Sequence, residues 1–176
     1  HSGTNAGRCN PTGAASGYFH RELSAQATSG TFYTRFYTYF EAIPIGTCEL
    51  FRVRSGGGNS TYFVHLLSTG KIRLGNFITS VNFDSATTFA MDIMYRIEVR
   101  HLISDTAGQL EVRVWAASDE TTQVSGSPFG IGNFTGGNGT DEDTLPTNVR
   151  SFFFGDIQSG GGSVKLSAPS GTITVG

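Results

Sequence analysis

The stretch Thr31-Phe-Tyr-Thr-Arg-Phe-Tyr-Thr-Tyr-Phe-Glu-Ala42 alternates two kinds of side chain with a period of two residues. Because successive side chains of a β-strand point to opposite faces, this alternation predicts a strand with two different faces. One face carries Phe32, Thr34, Phe36, Thr38, Phe40 and Ala42, and the other carries Tyr33, Arg35, Tyr37, Tyr39 and Glu41. We expect the phenylalanine face to lie in a core and the tyrosine-rich face to be solvated or to bind a ligand.

Further alternating runs lie on both sides of this stretch, separated by glycine-rich or polar turns. The most regular pair is Tyr95–Leu102 and Gln109–Ala116, which a polar turn joins into a predicted hairpin. A second predicted hairpin joins Thr47–Arg54 to Thr61–Leu67 through a run of serine and glycine. Shorter strands are predicted at Arg8–Asn10, Tyr18–Leu23, Lys71–Leu74, Arg150–Phe154, Val164–Leu166 and Thr172–Val175.

About ten or more short strands with little or no helix predict an all-β fold, a two-sheet antiparallel jelly-roll sandwich. The 176 residues suit one such domain, and neither a repeat nor a linker divides residues 1–176. The sequence from Phe77 to Met91 is less regular, and Ala117–Asn148 predicts a long loop. Because the chain begins with His1 rather than Met, we expect it to be a segment of a longer polypeptide.

The composition argues against some classes of partner. Charged residues make up 15% of the chain and the net charge is −2, whereas domains that bind nucleic acid through phosphate charge are usually basic. The apolar runs are far shorter than the ~20 residues of a membrane helix, so we expect no membrane span. A weakly charged surface of this kind is common on virions and in extracellular proteins, and we predict one of these locations. Cys9 and Cys48 can form one disulfide or remain thiols.

The order of the predicted strands resembles that of the concanavalin A-like lectin/glucanase superfamily, which includes laminin-G-like domains. Four segments carry the resemblance: Phe32–Phe40, the hairpin Leu50–Leu67, Gly70–Leu74, and the hairpin Tyr95–Trp115. Met94 departs from the pattern, because an aromatic residue is frequent there. The opening Ser2–Arg8 is similar to the "S-G-x-x-A-x-R" strand with which members often begin. The glycine- and serine-rich style is similar to modules of tailed-phage virion proteins and of bacterial secreted proteins.

Many members of this superfamily are glycoside hydrolases, which need two carboxyl groups about 5 to 10 Å apart across the sugar. The "E-x-D-x-x-E" strand of the glucanases is missing from this sequence. Glu98 and Glu111 lie on neighbouring predicted strands, but Arg96, Arg100 and Arg113 are interleaved with them. Ion pairs on a solvated face explain that pattern better than catalysis does. The histidines lack metal-ligand spacing and no nucleophile elbow is visible, so we expect no enzyme.

The acidic run Asp141-Glu142-Asp143 offers hard oxygen ligands of the kind that calcium prefers. Laminin-G-like relatives often carry one calcium ion, so the resemblance implies Asp141 and Asp143 as candidate ligands. Three adjacent acids cannot all turn toward one ion from an extended segment, and a solvated charge run is the alternative. We therefore expect no certain cofactor and name calcium as the one candidate.

The candidate ligand-binding residues are Tyr33, Arg35, Tyr37 and Tyr39. Same-face side chains on a strand lie ~7 Å apart, and tyrosine rings can stack on sugars while their hydroxyl groups bond to sugar hydroxyls. The resemblance implies that the concave sheet face is the glycan site. The alternative is that this face packs under loops or against a neighbouring subunit. The sequence also predicts a basic stripe of Arg52, Arg54, Lys71 and Arg73, and we expect it to be a solvated strand face.

These observations favour a non-catalytic structural or adhesion module that is displayed on a virion or an extracellular surface. It would dock on a protein scaffold or on neighbouring subunits and would also contact glycans such as a polysaccharide. The alternative is a carbohydrate-binding module of a secreted bacterial enzyme. A glycoside hydrolase or lyase is the third hypothesis.

Overall fold

The computed structural model describes residues 7–9, 17–27, 29–40, 42–58, 60–77, 80–103, 109–116, 118–119, 121–131, 149–156, 166–168 and 172–175. These residues contain thirteen strands and no helix. The strands are β1 (Gly7–Cys9), β2 (Gly17–Ala27), β3 (Gly30–Phe40), β4 (Cys48–Arg54), β5 (Ser60–Leu66), β6 (Lys71–Asn76), β7 (Asn82–Thr88), β8 (Ile93–Ile103), β9 (Gln109–Ala116), β10 (Phe129–Ile131), β11 (Val149–Asp156), β12 (Leu166–Ala168) and β13 (Thr172–Val175).

Eleven of the strands form two sheets. The five-stranded sheet has the order β10-β9-β8-β3-β13, and the six-stranded sheet has the order β2-β11-β4-β5-β6-β7. Strands β1 and β12 pair with each other, and every pairing is antiparallel. Strand β3 lies between β8 and β13, and β11 lies between β2 and β4, so the chain crosses repeatedly between the sheets. This is the predicted all-β, two-sheet jelly roll, and both predicted hairpins, β4–β5 and β8–β9, are confirmed.

The core lies between the two sheets and is aromatic. Phe32, Phe36 and Phe40 of β3 are all buried, as the alternation predicts. The ring of Phe36 stacks on Phe51 of β4 with the centroids 5.9 Å apart, and Phe32 meets Phe152 of β11 at 6.0 Å. Aromatic rings at these separations bury large areas, so they hold the two sheets together. The opposite side chains of the same strand are thereby fixed on the outer face.

Two strands lie in stretches for which the sequence predicts irregular structure. Strand β7 lies within Phe77–Met91, and β10 lies within the predicted loop Ala117–Asn148. Strand β10 is not predicted within this mostly loop-like stretch, because three residues between a proline and a glycine give no readable alternation. Gly130 pairs with Glu111, and a Cβ atom at Gly130 would lie 2.4 Å from the carbonyl oxygen of Leu110. Glycine therefore permits a close backbone approach there.

A histidine lies within the core. His101 of β8 is 5% exposed, and its ring meets the edge of Tyr62 from the six-stranded sheet, with the centroids 4.5 Å apart. Its Nδ1 atom lacks a hydrogen-bond partner in the structure as described. Burial lowers the pKa of His101 to about 3, because the apolar core disfavours the charged imidazolium.

Candidate functional site

The outer face of the five-stranded sheet carries three rows of side chains that run across β3, β8 and β9. The strand registers set the rows directly. They are Tyr33–Arg100–Glu111, Arg35–Glu98–Arg113 and Tyr37–Arg96–Trp115. Because neighbouring strands lie about 4.8 Å apart, the middle side chain of each row, on β8, is in direct reach of the other two.

A depression with a volume of about 580 Å³ lies over the first two rows. It is lined by Tyr33, Thr34, Arg35, Glu98, Val99, Arg100, Glu111 and Arg113. Tyr33 is 48% exposed, which is high for an aromatic side chain, and lies beside charged groups. Of the four predicted ligand-binding residues, Tyr33 and Arg35 line this depression, whereas Tyr37 and Tyr39 lie farther along the same strand.

Two ion pairs form the polar wall of the depression. Arg35 Nε donates to Glu98 Oε1 across the β3–β8 pair at 2.7 Å. Arg113 Nε donates to Glu111 Oε1 along β9 at 2.5 Å. Arg96 Nε also lies 3.5 Å from Glu98 Oε1. The two carboxylates that the sequence raises as an unlikely catalytic pair therefore line one depression, and each contacts arginine.

The expectation of a solvated face is only half correct. The side chains of Arg35 and Arg113 are 54% and 48% exposed, but those of Glu98 and Glu111 are 28% and 4% exposed. The side chain of Glu111 is thus buried, whereas that of its partner Arg113 is about half exposed. The sequence also missed that Arg35 is the partner of Glu98, because that contact depends on β3 lying beside β8.

On the outer face of the five-stranded sheet beyond the depression, the side chains contact one another. The guanidinium of Arg96 lies over the ring of Trp115, 4.1 Å from its centroid, and Trp115 is buried. The hydroxyl of Tyr39 donates to Asp92 Oδ1 at 3.1 Å. Tyr37 and Tyr39 are half-buried, so less of each ring faces solvent than at Tyr33. Trp115 is a further aromatic residue of this face that the sequence analysis did not single out.

The predicted basic stripe lies on the six-stranded sheet, and two of its arginines are neutralised there. Arg52 donates to both carboxylate oxygens of Glu49 through Nε and Nη2. Arg73 donates to both oxygens of Asp84 at 2.5 and 2.8 Å. Burial opposes ionisation of Glu49, but His65 and Arg52 outweigh it and lower the pKa of that carboxyl group.

The three histidines that the structure describes lie on separate strands, as the sequence predicts. His20 stacks on Phe153 at 4.4 Å and His65 stacks on Phe63 at 3.9 Å, while His101 lies in the core. No group of three or more histidine, cysteine, aspartate or glutamate side chains among the described residues could hold a metal ion. The candidate calcium ligands Asp141 and Asp143 lie outside the described residues, so calcium stays a prediction.

The structure describes the side chain of one of the two cysteines. Cys48 is buried in the core, whereas the side chain of Cys9 lies outside the described residues.

In the part of the chain that the structure describes, no helix has the length and apolarity needed to span a bilayer.

No protein-family model matches the sequence, and neither does any curated protein. Solved structures do match. A galactose complex of the lectin UEA-II gives a TM-score of 0.63 at 12% identity, covering 99% of this chain and 88% of the lectin. A pentraxin from Limulus polyphemus gives 0.53 at 14% identity, covering 94% and 74%. An alginate lyase from Alteromonas sp. 272 gives 0.52 at 14% identity, covering 96% and 82%. The chain therefore has the concanavalin A-like jelly-roll fold.

Proposed function

We propose that this chain is a carbohydrate-binding module whose ligand occupies the depression on the outer face of the five-stranded sheet. The observation that carries the proposal is the exposed Tyr33 ring beside the arginines of that depression. An apolar ring surrounded by a few convergent polar groups is the general composition of a small-molecule site. Tyrosine combines a flat apolar face with a hydroxyl group, and a sugar ring offers an apolar face and hydroxyl groups in return.

The fold neighbours support this proposal by analogy. The UEA-II structure is a lectin with bound galactose, and this chain shares its fold over nearly the whole length. Because one fold hosts many functions, the neighbour raises the expectation of glycan binding without locating it. The depression and the exposed Tyr33 ring support the location that we propose.

A glycan array is the direct test of this proposal. The array should carry neutral, uronate-containing, sialylated and sulfated glycans, and we expect binding to a subset of them. Tyr33→Ala should weaken that binding about two- to tenfold, the usual contribution of one aromatic contact. The matched control is Phe77→Ala, which removes an aromatic residue of similar exposure outside the depression. If no glycan of any class binds to the folded protein, the proposed function is wrong.

We propose further that the module is not an enzyme. Both carboxylates of the depression, Glu98 and Glu111, are engaged by arginines, which supports a binding role for this surface. A hydrolase or lyase is the competing proposal, because one fold neighbour is an alginate lyase and two carboxylates share one depression. Incubation with polysaccharides should release no reducing ends and no unsaturated sugars. Turnover that Glu98→Gln abolishes would establish the competing proposal.

The place of the module stays a proposal as well. We propose display on a virion or an extracellular surface, on a protein scaffold or beside neighbouring subunits, and the low content of charged residues supports it. The alternative is attachment to a secreted bacterial enzyme. Antibodies against the domain should label intact virions or the outer surface of producing cells. Copurification with a secreted enzyme would favour the alternative, and labelling confined to the cell interior would contradict both.

A further inference from the structure

We propose that the depression selects acidic saccharides, and that the terminal nitrogens of Arg35 and Arg113 bind their carboxylate or sulfate groups. This inference rests on the proposed function, because it names the class of glycan that the same depression binds. Carboxylate and sulfate share the chemistry that matters, since each offers two or more anionic oxygens to the planar fork of a guanidinium group.

The first argument is the geometry of the two ion pairs. Arg35 and Arg113 each donate to a carboxylate through Nε. Within the described residues, neither guanidinium has a hydrogen bond at its Nη1 or Nη2 atoms. Each arginine is thus held in place by one edge and offers its other edge, with the terminal nitrogens, to a ligand. An arginine that is fixed in this way loses less conformational freedom when it binds an anion.

The second argument is a comparison with the opposite sheet. There, Arg52 and Arg73 each donate through Nε and Nη2 to both oxygens of one carboxylate. Those forks are occupied by the protein's own carboxylates, and an external anion would have to displace them. The same chain therefore contains closed and open arginine pairs, and the open ones line the depression.

The third argument is the difference in exposure between the two side chains of each ion pair. The arginine side chains of the pairs are about half exposed, whereas Glu98 is 28% and Glu111 only 4% exposed. The more exposed side chain of each ion pair is consequently the cationic one. An anion that enters the depression is therefore attracted first to Arg35 and Arg113.

The fourth argument concerns spacing. Arg35 and Arg113 flank Glu98 in one row, so their backbones lie two strands, or about 10 Å, apart. Two arginines on alternate strands can each bind a different anionic group. A chain with recurring acidic groups can contact both at once, with Tyr33 beside it as the stacking surface. We therefore expect an acidic oligosaccharide or polysaccharide rather than a free monosaccharide.

Matched pairs of polymers test the inference by titration calorimetry. The acidic probes are polygalacturonate, alginate and dextran sulfate, and the neutral probes are carboxyl-reduced polygalacturonate, carboxyl-reduced alginate and dextran. At least one acidic probe should bind at least about tenfold more tightly than its neutral partner, as expected from the loss of charge-assisted hydrogen bonds. Preference for a carboxylated or a sulfated probe then identifies the anion.

Variants connect the preference to the two arginines. Arg35→Gln should weaken binding of the acidic probe about tenfold or more, and Glu98 retains Arg96 as a neighbour in that variant. Arg113→Lys keeps the cation beside the buried Glu111 but removes the fork, and it should also weaken binding about tenfold. The control is Arg73→Gln, which removes the same charge from the opposite sheet and should change the affinity less than twofold.

The outcomes separate the two proposals. Equal affinity for acidic and neutral partners, or an unchanged affinity in both Arg35→Gln and Arg113→Lys, overturns the inference and leaves carbohydrate binding intact. Binding to no probe here and to no glycan on the array overturns both. Tighter binding to single-stranded oligo(dT) than to every acidic polymer would mean that the arginines recognise phosphate of a nucleic acid, and it would also overturn the inference.

Discussion

Arg113 and Glu111 lie two residues apart on β9, and their ion pair joins an exposed cation to a buried anion. The side chain of Arg113 is 48% exposed and that of Glu111 only 4%. Removing each partner should therefore have a different cost in stability. Removal of the cation leaves a buried charge, whereas removal of the anion leaves a cation that water can solvate. The Arg35–Glu98 pair lacks this asymmetry, since Glu98 is partly exposed and has Arg96 nearby.

The first prediction follows from this difference. Arg113→Met should lower the free energy of unfolding by about 1 to 3 kcal/mol, the cost of a buried unpaired polar group. Arg35→Met should cost about 1 kcal/mol or less, which is usual for an exposed ion pair. Urea denaturation at neutral pH measures both. Adding Glu111→Gln to Arg113→Met should restore most of the loss, and a double variant no more stable than the single one would contradict this explanation.

The second prediction concerns acid. His101 has a pKa of about 3 in the folded protein, lowered by burial, and near 6.5 when unfolded. Between pH 6.5 and pH 3, His101 is therefore protonated in the unfolded chain but neutral in the folded chain. Because the proton stabilises only the unfolded chain, the free energy of unfolding is highest above pH 6.5 and falls as the pH drops toward 3. The loss should be about 1.4 kcal/mol per pH unit well below pH 6.5. His101→Leu should remove this dependence.

Urea midpoints at pH 7 and pH 5 are the appropriate measurement. The pKa values of Glu49 and Asp84 are lowered by their cationic partners, after allowance for burial at Glu49, so those groups destabilise the fold only in more acidic solution. Between pH 7 and 5 the difference between the wild type and His101→Leu should therefore come from His101. Parallel losses in the two proteins would show that His101 does not cause the acid sensitivity.

The third prediction concerns β10. Gly130→Ala would place a Cβ atom 2.4 Å from the carbonyl oxygen of Leu110 and 3.2 Å from the Cα of Glu111. Because both obstacles are backbone, the strand must move, and we expect β10 to separate from β9. Hydrogen exchange of the amides of β9 should become faster, with a loss of roughly 1 to 3 kcal/mol in stability.

Gly58→Ala is the control for that substitution, because nothing lies within 4 Å of its added Cβ. Its φ of +80° gives it a conformational cost of about 1 to 2 kcal/mol, but exchange in β9 should stay unchanged. Unaltered exchange in Gly130→Ala would show that β10 can pair with β9 without the close approach.

The fourth prediction concerns Gly75 on the outer face of the six-stranded sheet. The ring of Phe63 lies across it, and a Cβ at Gly75 would come within 2.0 Å of Phe63 Cζ. Gly75→Ala should therefore displace the ring and cost about 1 to 3 kcal/mol. A smaller side chain should relieve the clash, so the cost of Gly75→Ala should shrink when it is measured in a Phe63→Leu background. Equal costs in both backgrounds, measured by denaturation, would contradict the contact.

The sequence predicts those parts of the fold that depend only on the alternation of side chains within one strand or one hairpin. The two faces of β3 and the hairpin of β8 and β9 follow from period-two alternation alone. The site is harder to predict, because its contacts join residues that are distant in the chain. Arg35 and Glu98 are 63 residues apart, and the sequence offers nearer arginines as partners. The hydrogen bond from Tyr39 to Asp92 likewise joins residues that lie 53 positions apart in the chain.

The alternation along β3 has a consequence for how such a domain can change over time. Phe32 and Phe36 hold the two sheets together from one side of the strand, while Tyr33 and Arg35 face the depression from the other. Substitutions that alter what is recognised can therefore accumulate with little effect on folding. The same separation makes the exposed outer positions of β3, Tyr33 and Arg35, suitable for randomisation in a binding library, with the inner positions left unchanged.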